Sequence, residues 1–228
     1  MNGLIPASTA ARTLRALSRL LSYPTGDTLR HLSVIADTLR DEQALGAASL
    51  CQLQTLLDRL AATPALELEA DYVECFDRGR STSLHLFEHV HGDSRERGPA
   101  MIDLAQTYAS AGLYLADDEL PDYLPAALEF ASTLAPSQAS EFVGEMTHIL
   151  NAIHAALVER HSDYASLFAA LLELAGTTAQ PVAAVAEPPV DSVWDEPPAF
   201  TGCSSLGQSR PVQPIHVVRS SAPRGVYK

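Results

Sequence analysis

Apolar residues recur every three or four positions along most of the chain, the spacing of α-helices with one face turned inward. Leu14, Leu17, Leu20 and Leu21 form one such stripe, which stops at Tyr23-Pro24. Leu29, Leu32, Ile35, Ala36 and Leu39 make a second face. Leu50, Leu53, Leu56, Leu57 and Leu60 make a third, and Leu66, Tyr72, Val73 and Phe76 a fourth. Further on the pattern predicts helices over about 99–111, closed by Gly112, over about 121–134, and over a long stretch, 137–160, with Phe142, Met146, Ile149, Leu150, Ile153 and Leu157 inward. A last helix, about 162–175, carries Tyr164, Leu167, Phe168, Leu171 and Leu172 inward and ends at Gly176, where a glycine relieves the left-handed cap. Pro64, Pro99, Pro121 and Pro136 fall where helices start or stop.

Alternating strand patterns are nearly absent, so the expectation is an all-α, single-domain bundle of about eight or nine helices over residues 1–176. Beyond Gly176 the chain turns to Pro, Ala, Val and Ser with no periodic face, which predicts a disordered, flexible tail over 177–228. Within it "VDSVWDEPPAF" holds the lone Trp194 and Phe200, either a docking motif or aromatics that touch the body.

Charge adds a constraint on partners. With 15 basic and 28 acidic residues the net charge is −13, and the tail's four acids and four bases cancel, so the excess belongs to the helical body. Such a surface repels phosphate backbones and anionic lipid and attracts a basic peptide, which argues against nucleic acid as a partner. No apolar run reaches the ~18 residues of a membrane span, and direct membrane insertion is not expected. Cys51, Cys75 and Cys203 form no C-x-x-C pair, which fits a reducing cytoplasm. The acid-free opening imitates a transit peptide, but a first core helix has the same pattern.

The chemistry-bearing residues concentrate in "SLHLFEHVHGDSRERG", residues 83–98. His85, Glu88 and His89 spell H-x-x-E-H, the spacing at which a zinc hydrolase sets two imidazoles one turn apart with a carboxylate as general base. A third ligand is not evident, and Leu84, Leu86, Phe87 and Val90 around it read as a half-buried helix. On either side lie two glycine-punctuated, charge-alternating loops, Asp77, Arg78 and Arg80 before and Asp93, Arg95, Glu96 and Arg97 after. Arginine forks there can pair with carboxylates and lock the loops together. Neither loop has the pattern of a phosphate cradle.

"RLLSYPT" (19–25), "YVECFDRGRSTSLHLFEHVHGDSRERGPAMIDL" (72–104) and "DELPDYLPAALEFAS" (118–132) together resemble the NarJ family of nitrate reductase maturation chaperones, over about 19–175. The resemblance implies a TorD/DmsD-like helical fold and a cytoplasmic chaperone, not an enzyme. It implies as partner the catalytic subunit of respiratory nitrate reductase, held through its N-terminal segment while the molybdenum cofactor is inserted and before the subunit docks at the membrane. Proteins of molybdenum cofactor biosynthesis are further candidate partners, and a related chaperone for another molybdoenzyme is the alternative. No cofactor is expected to stay on this chain, because the molybdenum cofactor goes to the client. Tyr72, Phe76, Asp77, Arg78, Arg80, His85, Phe87, Glu88, His89, His91, Asp93, Arg95 and Arg97 become supporting residues of the signature region, and the metallopeptidase reading recedes.

In the wider group E-x-P-D-H is associated with recognition of the client segment, and here it reads Glu119, Leu120, Pro121, Asp122, Tyr123. Tyr123 stands where the histidine would be, and a tyrosine does not become cationic near neutral pH. The acids Asp117, Asp118, Glu119 and Asp122 are expected to rim an apolar groove, with Leu120, Tyr123 and Leu124 contacting the peptide.

Overall fold

The computed structural model describes residues 10–92, 94–116 and 119–180. Among these the fold is all-α, with eleven α-helices and no strand beyond one isolated antiparallel bridge between His85 and Tyr123. The expected Trp194 and Phe200 motif, the disorder expected of the tail, and Asp93, Asp117 and Asp118 lie outside the described residues.

The core is built around α1 (Ala11–Leu21), whose Leu14, Leu17, Leu20 and Leu21 are all buried, as the first stripe requires. It packs along α8 (Leu124–Ala131), with α3 (Leu32–Glu42) on another side. Behind it α10 (Thr147–Glu159) pairs with α11 (Ala165–Leu174), which in turn meets α4 (Ala47–Ala62). The remaining helices are α2 (Gly26–Arg30), α5 (Ala65–Tyr72), α6 (Leu86–Val90), α7 (Arg97–Ser110) and α9 (Pro136–Glu145). A π-turn (Val73–Asp77) and a 3₁₀ turn (Arg80–Thr82) lead from α5 to α6.

The helix count exceeds the expected eight or nine because two periodic stretches are broken. The 137–160 stretch divides at Met146 (φ −88°, ψ 0°). Gly144 weakens the helix there, and the Thr147 hydroxyl donates to the Gly144 carbonyl at 2.5 Å, competing with the main-chain ladder. The second face divides at His31, whose ring bonds the Asp27 carbonyl at 2.8 Å. Leu66 is also misassigned in the fourth face: it is 80% exposed, and Leu68 is buried instead. The inward row is Leu68, Tyr72, Phe76, spaced by four, which leaves Leu66 about 200° around the helix.

At the far end Gly176 does take a left-handed conformation (φ +77°). The four residues after it still belong to the body, since Ala179 packs against the core and the Gln180 amide donates to the Asn151 side chain at 2.9 Å. No described helix is long and apolar enough to cross a membrane.

Candidate functional site

The signature segment and the 119–124 loop meet at the His85–Tyr123 bridge. The Leu124 amide donates to the Leu84 carbonyl at 2.8 Å, and the Leu86 amide to the Asp122 carbonyl at 2.9 Å. This use of the backbone explains why α8 starts at Leu124 and not at Pro121. Tyr108 adds a third tie, its hydroxyl donating to the Pro121 carbonyl at 3.0 Å.

Asp122 departs most from expectation. It is 0% exposed and does not face a solvent rim. Its carboxylate accepts from the Phe87 amide at 3.2 Å and from His85 Nδ1 at 3.3 Å, and the Arg97 guanidinium lies 3.7 Å away. The carboxylate thus caps the N-terminus of α6 from a distant part of the chain, satisfying an amide that the short helix leaves open. A buried carboxylate requires such partners, and its charge is consumed inside the protein.

His85 gains from this arrangement. The hydrogen bond to Asp122 raises its pKa above the usual 6.5, burial opposes this, the charges of Asp122 and Glu88 add to the rise, and Arg97 subtracts. The ring lies against Tyr123, centroids 5.4 Å apart and tilted by 34°. An imidazole therefore does stand beside Tyr123, supplied from the other side of the bridge. Tyr123 itself shares a 3.3 Å hydrogen bond with Tyr72, whose hydroxyl also donates to the Leu21 carbonyl at 2.8 Å. Burial pushes both phenols up, so they stay neutral.

The H-x-x-E-H residues do not converge. His85 precedes α6 as its N-cap residue, outside the helical face that the zinc motif needs. His89 Nε2 donates to the Ser83 carbonyl at 2.8 Å, and Glu88 lies 3.7 Å from Arg97. Among the described residues no group of three His, Cys, Asp or Glu side chains is placed to hold a metal ion.

The arginines divide in the same way. Arg97 ties loops together through Glu88 and Asp122, whereas Arg78 pairs within its own turn with Glu74 at 2.7 Å. Asp77, Arg80 and Arg95 are exposed. Tyr72 and Phe76 are buried and stack with Tyr164 at 6.3 and 5.0 Å, and Phe87 packs on the core with its ring 5.3 Å from His91.

What the fold does bring together is an open depression of about 470 Å³ lined by His85, Ala116, Glu119, Leu120 and Tyr123. Leu120 is 46% exposed at its edge and Glu119 half-buried, while Pro121 and Leu124 are buried beneath. Two larger depressions, of about 670 and 640 Å³, lie elsewhere, and neither unites the signature segment with this loop. Ala116 and Tyr108 escaped the sequence reading: an alanine carries no chemical signal, and Tyr108 looks like any helical aromatic until its partner Pro121 is known.

The sequence model of the family described as nitrate reductase delta subunit matches residues 41–170. The chain belongs to this family. The family resemblance expected from the three sequence runs is thus borne out, and the relatives agree. The nitrate reductase molybdenum cofactor assembly chaperone NarJ of Escherichia coli (strain K12) is 41% identical over 190 residues, 79% of this chain and 80% of that one. The probable chaperone NarW of the same strain is 39% identical, covering 72% and 68%. The probable NarJ of Bacillus subtilis (strain 168) is 31% identical, covering 70% and 86%. All are named as nitrate reductase molybdenum cofactor assembly chaperones.

Proposed function

We propose that this protein is a cytoplasmic assembly chaperone, not an enzyme, for the molybdenum-containing catalytic subunit of a respiratory nitrate reductase. The observation that carries the reading is the 41% identity to a NarJ chaperone over four fifths of both chains. The chaperone holds the immature subunit, in part through the subunit's basic N-terminal segment, until the molybdenum cofactor has been inserted. The cofactor is cargo for the client and does not remain on this chain. Proteins of molybdenum cofactor biosynthesis are partners at that step.

The segment lies in the depression beside the 119–124 loop. Leu120 and the Tyr123 ring offer an apolar contact, Glu119 offers negative charge, and the acidic body attracts a basic peptide from a distance. Asp122 acts from below by fixing the loop. Holding is thermodynamic: the chaperone binds the cofactor-free form better than the finished one, which keeps an insertion-competent conformation populated and delays membrane docking. Release follows when insertion removes that difference.

Affinity capture from anaerobic, nitrate-grown cells, with the captured proteins identified by mass spectrometry, tests the assignment. The nitrate reductase catalytic subunit should be recovered, in larger amount from cells unable to make the cofactor. Recovery of a different molybdoenzyme's subunit instead would redirect the client assignment.

A further inference from the structure

The helix α7 is held differently from every helix of the core. Of its fourteen residues only Tyr108 is buried. Met101, Leu104 and Ala105 are half-buried, and Ile102 is 60% exposed. Tyr108 rests on Phe130 of α8, ring centroids 4.7 Å apart, and Phe130 in turn meets Phe142, 5.1 Å away, which packs against the main apolar core.

Both ends of α7 are fastened to one short stretch. At the N-terminal end Arg97 lies 3.7 Å from Asp122 and equally close to Glu88 of α6, so loss of Asp122 leaves that end on Glu88 alone, and near the C-terminal end the Tyr108 hydroxyl donates to the Pro121 carbonyl. Pro121 and Asp122 are flanked in the chain by Glu119, Leu120 and Tyr123, which line the depression. A ligand that presses on Leu120 and Tyr123 therefore acts on the backbone that carries both fastenings.

We propose that α7 is a strap whose release reports occupancy of the depression: a peptide seated against Leu120 and Tyr123 shifts the loop, loosens both fastenings and frees α7 from α8. This rests on the peptide-binding reading above. The coupling needs no long pathway, because the two sites share one turn of chain and differ only in which side of it they touch. Freeing α7 uncovers Phe130 on α8.

Hydrogen exchange read by mass spectrometry on the full chain tests the proposal, with and without a synthetic peptide of the catalytic subunit's basic N-terminal segment, and with calorimetry run alongside. In the free protein α7 amides should exchange well ahead of those in α10 and α11. Saturating peptide should speed α7 further while slowing the 119–124 loop. Tyr108→Phe, which keeps the ring and removes the hydroxyl, should speed α7 exchange about fivefold without peptide and leave α11 unchanged.

Each part of the proposal has its own contrary result. Calorimetric binding with α7 exchange unchanged or slowed would overturn the coupling while sparing the peptide-binding reading. No calorimetric binding would overturn that reading and the coupling with it. A Tyr108→Phe chain whose α7 exchanges at the wild-type rate would overturn the fastening itself.

Discussion

Helices α11 and α7 are both regular and both carry apolar residues at helical spacing, yet they are held by opposite means. Six of the ten residues of α11 are buried, Leu167, Phe168, Leu171 and Leu172 among them. In α7 one of fourteen is, and near its ends Arg97 lies 3.7 Å from Glu88 and Asp122 and the Tyr108 hydroxyl donates to the Pro121 carbonyl. Burial of apolar area is non-directional and large, whereas a hydrogen bond or part-exposed ion pair is small and depends on geometry. The bundle thus has a densely buried centre that defines the fold and a margin with little buried area, and His85, Glu88 and Asp122 lie at the junction between them.

The largest effect should come from the centre. Phe168→Ala should cost about 3–5 kcal/mol of unfolding free energy by urea titration, since it removes a fully buried ring. Asp122→Asn comes next, at about 1–3 kcal/mol, because the amide cannot satisfy His85, the Phe87 amide and Arg97 together. A cost near zero there would mean that the junction does not depend on this carboxylate.

A pH effect should follow from His85. Its folded pKa lies above the usual 6.5, so the folded state favours the protonated ring. That contribution is fully present below the unfolded value and is lost as pH rises through the folded one. His85→Gln should remove this part of the stability profile, seen as a smaller decline as pH rises above 6.5 than in the parent chain. His154, whose pKa burial lowers, acts in the opposite sense and remains in both proteins. The smallest effect should be Ile102→Ala on the exposed side of α7, within about 0.5 kcal/mol.

These differences also explain what could be foreseen. Where one face is wholly apolar and wholly buried, as in Leu14, Leu17, Leu20 and Leu21 of α1, periodicity is sufficient, and Gly176 announced its own cap. Periodicity is insufficient where two nearby apolar residues compete for one row: Leu66 is exposed, and Leu68 fills the inward position. The break at Met146 has a local cause in Gly144 and Thr147, but a continuous inward face masked it.

Asp122 was the hardest to foresee. An aspartate in an acidic loop reads as solvent-facing, and the groups that draw it inward, His85, Phe87 and Arg97, are 25 to 37 positions away in the chain. The segment that joins the candidate site was legible as a motif, but which of its acids face a ligand depended on the bridge between His85 and Tyr123.

Calorimetry of the full chain with the synthetic basic N-terminal peptide of a nitrate reductase catalytic subunit, at low and high salt, decides whether the depression beside Leu120 is the peptide site. The parent protein should bind, more weakly as salt rises. Glu119→Gln and Leu120→Ala, both at the edge of the depression, should each weaken binding several-fold while leaving the unfolding midpoint unchanged. Binding that ignores salt and both substitutions, or no binding at all, would contradict the account.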